Sequence, residues 1–124
     1  MTSALSRSNQ NWCWPDSLDA LVAAPRHHTI VLENEKMRVV ETRIAPGQTV
    51  PVHTHRWPGA LFITAWSDLI RRDQAGHDLL DTRQLADQPR LNPPLWQEPL
   101  PPHRLENVGG AQCNAVQVEI KGGP

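Results

Sequence analysis

His53 and His55, one residue apart in the stretch Thr49-Val50-Pro51-Val52-His53-Thr54-His55, are the residues whose type and spacing most directly suggest chemistry. In an extended strand successive side chains point to opposite faces, so the two imidazoles share a face and can converge on one ion. Neutral imidazole is a ligand for zinc, iron, copper and nickel. Two solvated surface histidines would produce the same HxH pattern, and a third histidine shifts the balance towards a metal. His103 supplies it: in Pro99-Leu100-Pro101-Pro102-His103 the proline run holds the incoming chain extended, and the residues up to Asn107 read as a further strand.

Gly47, five intervening residues, HxH, and later HxxxN from His103 to Asn107 before a last apolar strand resemble the cupin superfamily, over about residues 28–121. The resemblance implies an all-β fold, the double-stranded β-helix or cupin jelly-roll barrel, with a short helical segment before it. It further implies that His53, His55 and His103 face inward around a divalent transition metal, namely iron, zinc, nickel or manganese. The sequence departs from the family pattern in one chemically important place. The glutamate expected four or five residues after the second histidine falls at Gly59 or Ala60, and neither has a ligating side chain. Asn92, Glu98 and Leu100 likewise stand where Gly, Pro and Gly are expected. Three neutral imidazoles leave the full charge on a divalent ion, which makes it more electrophilic and more receptive to anionic ligands. Three-histidine cupins include iron-dependent dioxygenases, so the resemblance points to a metal-dependent enzyme, dioxygenase-like or Lewis-acid, acting on a small oxygenated organic compound. The alternative is a non-catalytic cupin that binds a small ligand or a metal.

The elements that must position these residues are strand-sized. Twelve prolines scattered along 124 residues argue against long helices. Short aliphatic and β-branched runs recur at 29–32, 37–44, 49–55, 60–66, 78–83 and 115–121, separated by turn signals such as Asn34-Glu35, Pro46-Gly47 and Gly109-Gly110. One helix is expected from Asp16 to Ala24, ended by Pro25, which divides the chain into an N-terminal extension, 1–27, and a barrel, 28–124. Residues 1–10 read as a frayed end.

Alternation assigns the pocket. If Ala60 stands for the inward glutamate, Phe62, Thr64 and Trp66 follow it inward as an apolar floor with one hydroxyl. Trp57 sits at the mouth, to stack on a substrate or simply to pack. Asn107 shares a strand face with His103 and is placed either to support it by a hydrogen bond or to close a strand end. Of the carboxylates, Glu98 is the first candidate for a fourth ligand, ahead of Glu41 and Glu106. Glu119 reads as the solvent side of the last strand, and His27, His28 and His77 as surface histidines. With His53 and His55 inward, Val50 and Val52 face out and must be covered either by the N-terminal Trp12–Trp14 segment or by a second subunit; small cupins commonly pair, so the resemblance implies a homodimer.

Composition removes other classes. Twelve Lys and Arg against thirteen Asp and Glu, with Arg71-Arg72 followed at once by Asp73, leave no basic patch for nucleic acid. No apolar run approaches the roughly 20 residues of a membrane span, and the N-terminus lacks the layout of a secretion signal, so neither a membrane nor an exported form is expected and the default address is cytoplasmic. Cys13 and Cys113 form no CxxC and read as ordinary thiols. The expected partner is a small-molecule ligand or substrate.

Overall fold

The computed structural model describes residues 12–87 and 93–122, so residues 1–10 and the motif position Asn92 lie outside it. The described residues contain nine strands: β1 (His28–Glu33), β2 (Met37–Ile44), β3 (Thr49–His55), β4 (Gly59–Ala65), β5 (Leu69–Asp73), β6 (Asp78–Asp81), β7 (Leu95–Gln97), β8 (Leu100–Asn107) and β9 (Cys113–Ile120). They form a five-stranded sheet in the order β1-β2-β9-β4-β7 and a four-stranded sheet in the order β3-β8-β5-β6. All named-strand pairings are antiparallel. The turns follow their residues: Asn34 Oδ1 accepts from the backbone N–H of Lys36 and Met37 between β1 and β2, and Gly47 takes the positive φ of 80° that the Pro46-Gly47 turn requires.

The helix expected from Asp16 to Ala24 is broken in two, a 3₁₀ turn at Asp16–Leu18 and one α-helical turn, α1, at Ala20–Ala23. Asp19 breaks it. Its backbone is extended (ψ 141°), its carboxylate caps Leu21 N–H, and its main chain bridges to Thr54 of β3. The N-terminal segment is thereby fastened to the strand that carries His53 and His55, and Ala20 and Ala24 are buried beneath it.

The core joins Ala24, Ile44, Val50 and Cys113, with Leu69 and Leu105 packed on it. Val50 was expected to face out, yet it is fully buried. The reason is a pair of register shifts in β3: Val50 opposes Leu105 while His53 opposes His103, so β3 carries one extra residue in between and both Val50 and His53 point inward. The need for a second copy to cover Val50 therefore disappears. Beside this core, between the two sheets, lies a cavity of about 180 Å³.

Candidate metal centre

Four imidazoles cluster beside that cavity, and three of them, His28, His55 and His103, line it. His53 and His103 are register partners on β3 and β8, with ring centroids 4.3 Å apart. His55 lies 5.0 Å from His53 and 5.7 Å from His103. The fourth is His28, at the start of β1 in the other sheet, 4.9 Å from His53 and 5.5 Å from His55. The potential ligand atoms of His28, His53 and His55 all lie within 4.8 Å of one another. His28 was expected on the surface, but only 3% of it is exposed. It is the one buried residue of an edge strand whose other five residues face solvent, so no periodicity marks it.

The tautomers follow from the hydrogen-bond partners. His28, His53 and His103 place Nδ1 against the carbonyl oxygens of Ala24, Pro51 and Pro101, at 2.9, 2.7 and 2.8 Å. A carbonyl only accepts, so each Nδ1 carries the hydrogen and donates it, which leaves the lone pair on Nε2. His55 Nδ1 donates to the Glu119 carboxylate at 3.1 Å, with the same consequence. The Nε2 atoms of His53 and His103 are buried with no partner, an arrangement that costs free energy unless something accepts the lone pair. Burial, reinforced by the charges of neighbouring histidines, depresses the pKa of His28 to about 4 and that of His103 to about 3, and lowers that of His53 as well. These three rings are therefore neutral at physiological pH, the form that ligates. Imidazole donors so placed, with those of His28, His53 and His55 within 4.8 Å of one another and His103 beside them, fit a borderline transition metal such as zinc, iron or nickel.

A buried carboxylate stands beside the cluster, across a strand pair from Gly59. Gly59 lies against β9 so closely that a Cβ there would stand 1.8 Å from the Val118 carbonyl oxygen, so no glutamate fits. Its register partner is Glu119. Glu119 is fully buried, contrary to the solvent-facing position expected for it. The expectation failed because Val116 and Val118, the apolar members of the alternation, lie on the outer face of the sheet, while Cys113, Ala115 and Gln117 line the cavity. Glu119 joins His55 to Arg38, whose Nε donates to it at 2.7 Å, and Arg38 in turn donates both terminal nitrogens to Asp19 at 3.0 Å. Burial opposes the Arg38 charge, but its bonds to Asp19 and Glu119 outweigh this and raise its pKa. Asp19, Arg38 and Glu119 thus tie α1 to the His55 ring.

The remaining expected site residues are placed elsewhere. Because Gly59 is the inward residue, Leu61 and Ile63 line the cavity, whereas Phe62 and Thr64 are exposed and Ala60 lies on their side of β4. Trp66 does reach the cavity, since the β4–β9 register shifts between Ile63 and Ala65. Trp57 lies outside it, its ring 4.9 Å from the Arg38 guanidinium and near Arg56 and Lys121. Glu98 is exposed and accepts from Trp96 Nε1; it is no fourth ligand. Glu41 and Glu106 pair with Arg43 and Arg72. Asn107 closes a corner: its amide donates to the carbonyls of Ile44 and Ala111 and accepts from Ser67 and Gly109. His77 is exposed beside Asp73, and both cysteines are free. Among the described residues no helix is long and apolar enough to cross a membrane.

No family model matches the sequence, and no curated protein matches it. Solved structures do. A cupin domain from Bordetella pertussis Tohama I superposes with a TM-score of 0.62 at 20% identity, over 76% of this chain and 91% of that one. An RmlC-like cupin family protein with a double-stranded β-helix fold from Methanocaldococcus jannaschii gives 0.54 at 9% identity, covering 75% and 77%. An uncharacterized conserved protein with a double-stranded β-helix domain from Klebsiella pneumoniae gives 0.54 at 16% identity, covering 98% and 92%. At these identities the likeness concerns the fold, and with the two antiparallel sheets and the inward histidines it shows that this chain has the cupin double-stranded β-helix fold.

Proposed function

We propose that the protein binds one divalent transition metal through Nε2 of His28, His53, His55 and His103, and acts as a metal-dependent enzyme on a small oxygenated organic compound held in the adjoining cavity. The observation that carries this reading is the tautomer set: all four Nδ1 atoms face acceptors, and the Nε2 atoms of His53 and His103 are buried and unpaired. Once bound, such an ion supplies Lewis acidity, and iron also a redox couple. The protein residues do the rest. His28, His55 and His103 face the cavity, Leu61, Ile63, Leu69 and Leu105 keep its walls dry, and Glu119 holds the proton on His55 Nδ1 so that the ring keeps its orientation.

The ligand count favours a second reading for one metal. Four imidazoles complete the tetrahedral shell of zinc, which would make the site closed and the protein a binder. Six-coordinate iron, nickel or manganese would keep two positions for a substrate. Metal analysis of untagged protein, followed by oxygen uptake of the ferrous form with thiols, diketones and aromatic acids, separates the two. Stoichiometric iron with uptake on one compound class supports the enzyme. Retained zinc with a silent panel supports the binder, and no stoichiometric metal of any kind contradicts both.

A further inference from the structure

The cavity contains a second unanswered polar group. Arg71 and Arg72 are adjacent on β5 and point to opposite sides. Arg72 donates to Asp78 and Glu106 at 2.9 and 2.8 Å on the outside. Arg71 lines the cavity, makes no hydrogen bond or ion pair, and has a fully buried Nε without a partner. All thirteen Asp and Glu of the chain are among the described residues, and none lines the cavity or pairs with Arg71. Burial without an opposing partner pulls the guanidinium below its ordinary pKa. Arg71 is half-buried as a whole, and a cation drawn partly into an apolar cavity with no counter-charge is favoured by a ligand that completes it.

Two further observations define that ligand. Gln117, on β9 in the opposite sheet, lines the same cavity and is buried with Nε2 unpaired, a second donor without an acceptor. The rest of the wall is mostly aliphatic, including Leu61, Ile63, Leu69 and Leu105. A dry cavity of about 150 Å³ admits benzene, so the 180 Å³ available here suits a compound of similar or slightly larger size. Arg71 opposes Leu105 in the β5–β8 register and is diagonal to His103, which sets the cation beside the histidine cluster.

We propose that the cavity binds a small monocarboxylate with an apolar body, its carboxylate taken by Arg71 and assisted by Gln117, with the body against the aliphatic wall and directed towards the histidines. The proposal names the ligand class of the cavity assigned to the substrate above, and rests on that assignment.

The test uses isovalerate, isovaleramide as its neutral isostere, and metal-free protein, so that the anion cannot be held by an ion. Calorimetric titration of the wild-type protein is expected to show isovalerate bound at least about tenfold more tightly than isovaleramide, as a charge-assisted bond to guanidinium requires. Arg71→Met should bind both alike, and Arg71→Lys should retain a preference for the acid. Circular dichroism and an unweakened cobalt titration establish that the variants are folded with their histidine site intact. Equal binding of acid and amide by wild type, no binding of isovalerate, or discrimination retained in Arg71→Met overturns the proposal. A wild-type protein that takes up no cobalt yet selects isovalerate through Arg71 contradicts the metal reading and leaves the carboxylate site standing. The reverse pattern removes the carboxylate site alone.

Discussion

Arg38 is buried and Arg71 half-buried in the same small β-barrel, and they differ in what surrounds them. Arg38 is met by Asp19 on one side and fully buried Glu119 on the other, with the Trp57 ring 4.9 Å away. Arg71 meets aliphatic side chains and an empty volume. One guanidinium is part of the architecture that orients the His55 ring, and the other has no counter-charge from the chain itself. Burial alone thus does not identify a functional cation; the absence of a counter-charge does.

The sharpest way to break this contrast is to remove each charge in turn. Arg38→Met should cost about 3–5 kcal/mol in urea unfolding, because it strands the buried Glu119 carboxylate. Arg71→Met should be neutral or stabilising, since it removes an unpaired, half-buried charge and leaves no partner stranded. Equal losses in both variants would end the distinction.

The histidines between the two arginines give the next effect, through pH. The folded pKa values of His28 and His103, about 4 and about 3, lie below the unfolded value of 6.5. The unfolded chain therefore binds more protons between these values, and metal-free stability should fall as pH drops from 6.5 towards 4, by up to about 1.4 kcal/mol per pH unit for each such ring. Thermal melts across that range check it; a flat profile would mean the rings are not buried neutral.

A smaller change separates support from ligation. Glu119→Gln should weaken metal binding by about 10–100-fold, the usual consequence of altering a partner of a ligating histidine, and competition against a chelating dye measures it. Arg71→Met should not weaken it. Smallest of all, Thr64→Ser should shift stability by less than about 0.5 kcal/mol and leave isovalerate binding unchanged, because Thr64 is exposed on the outer side of β4.

Much of this molecule was legible in its sequence. The strand runs match β1 to β4, β6 and β9 closely, and the HxH pair and the proline-led His103 sit on paired strands β3 and β8, with their rings 4.3–5.7 Å apart. The short β5 and β7 were not marked as runs. The remaining misses have physical causes. A β-bulge changes the parity on which inward and outward assignments depend, which misplaced Val50. Both faces of β9 carry apolar residues, so alternation could not say which side Glu119 took. Taking Ala60 rather than Gly59 as the inward residue inverted Phe62 and Thr64. His28 was hidden at the first position of an edge strand, though the lost glutamate was itself a signal that the site lacked a ligand.

Four imidazoles, His28 included, are proposed above to form one metal centre. Cobalt(II) titration of metal-free protein, followed by visible absorption, tests it most directly when wild type is compared with His28→Ala. The account predicts one equivalent bound by wild type, with the variant bound more weakly by at least the about 10–100-fold seen for outer partners and with an altered ligand-field spectrum. Identical affinity and spectrum in His28→Ala, or no cobalt binding by the wild-type protein, would contradict it.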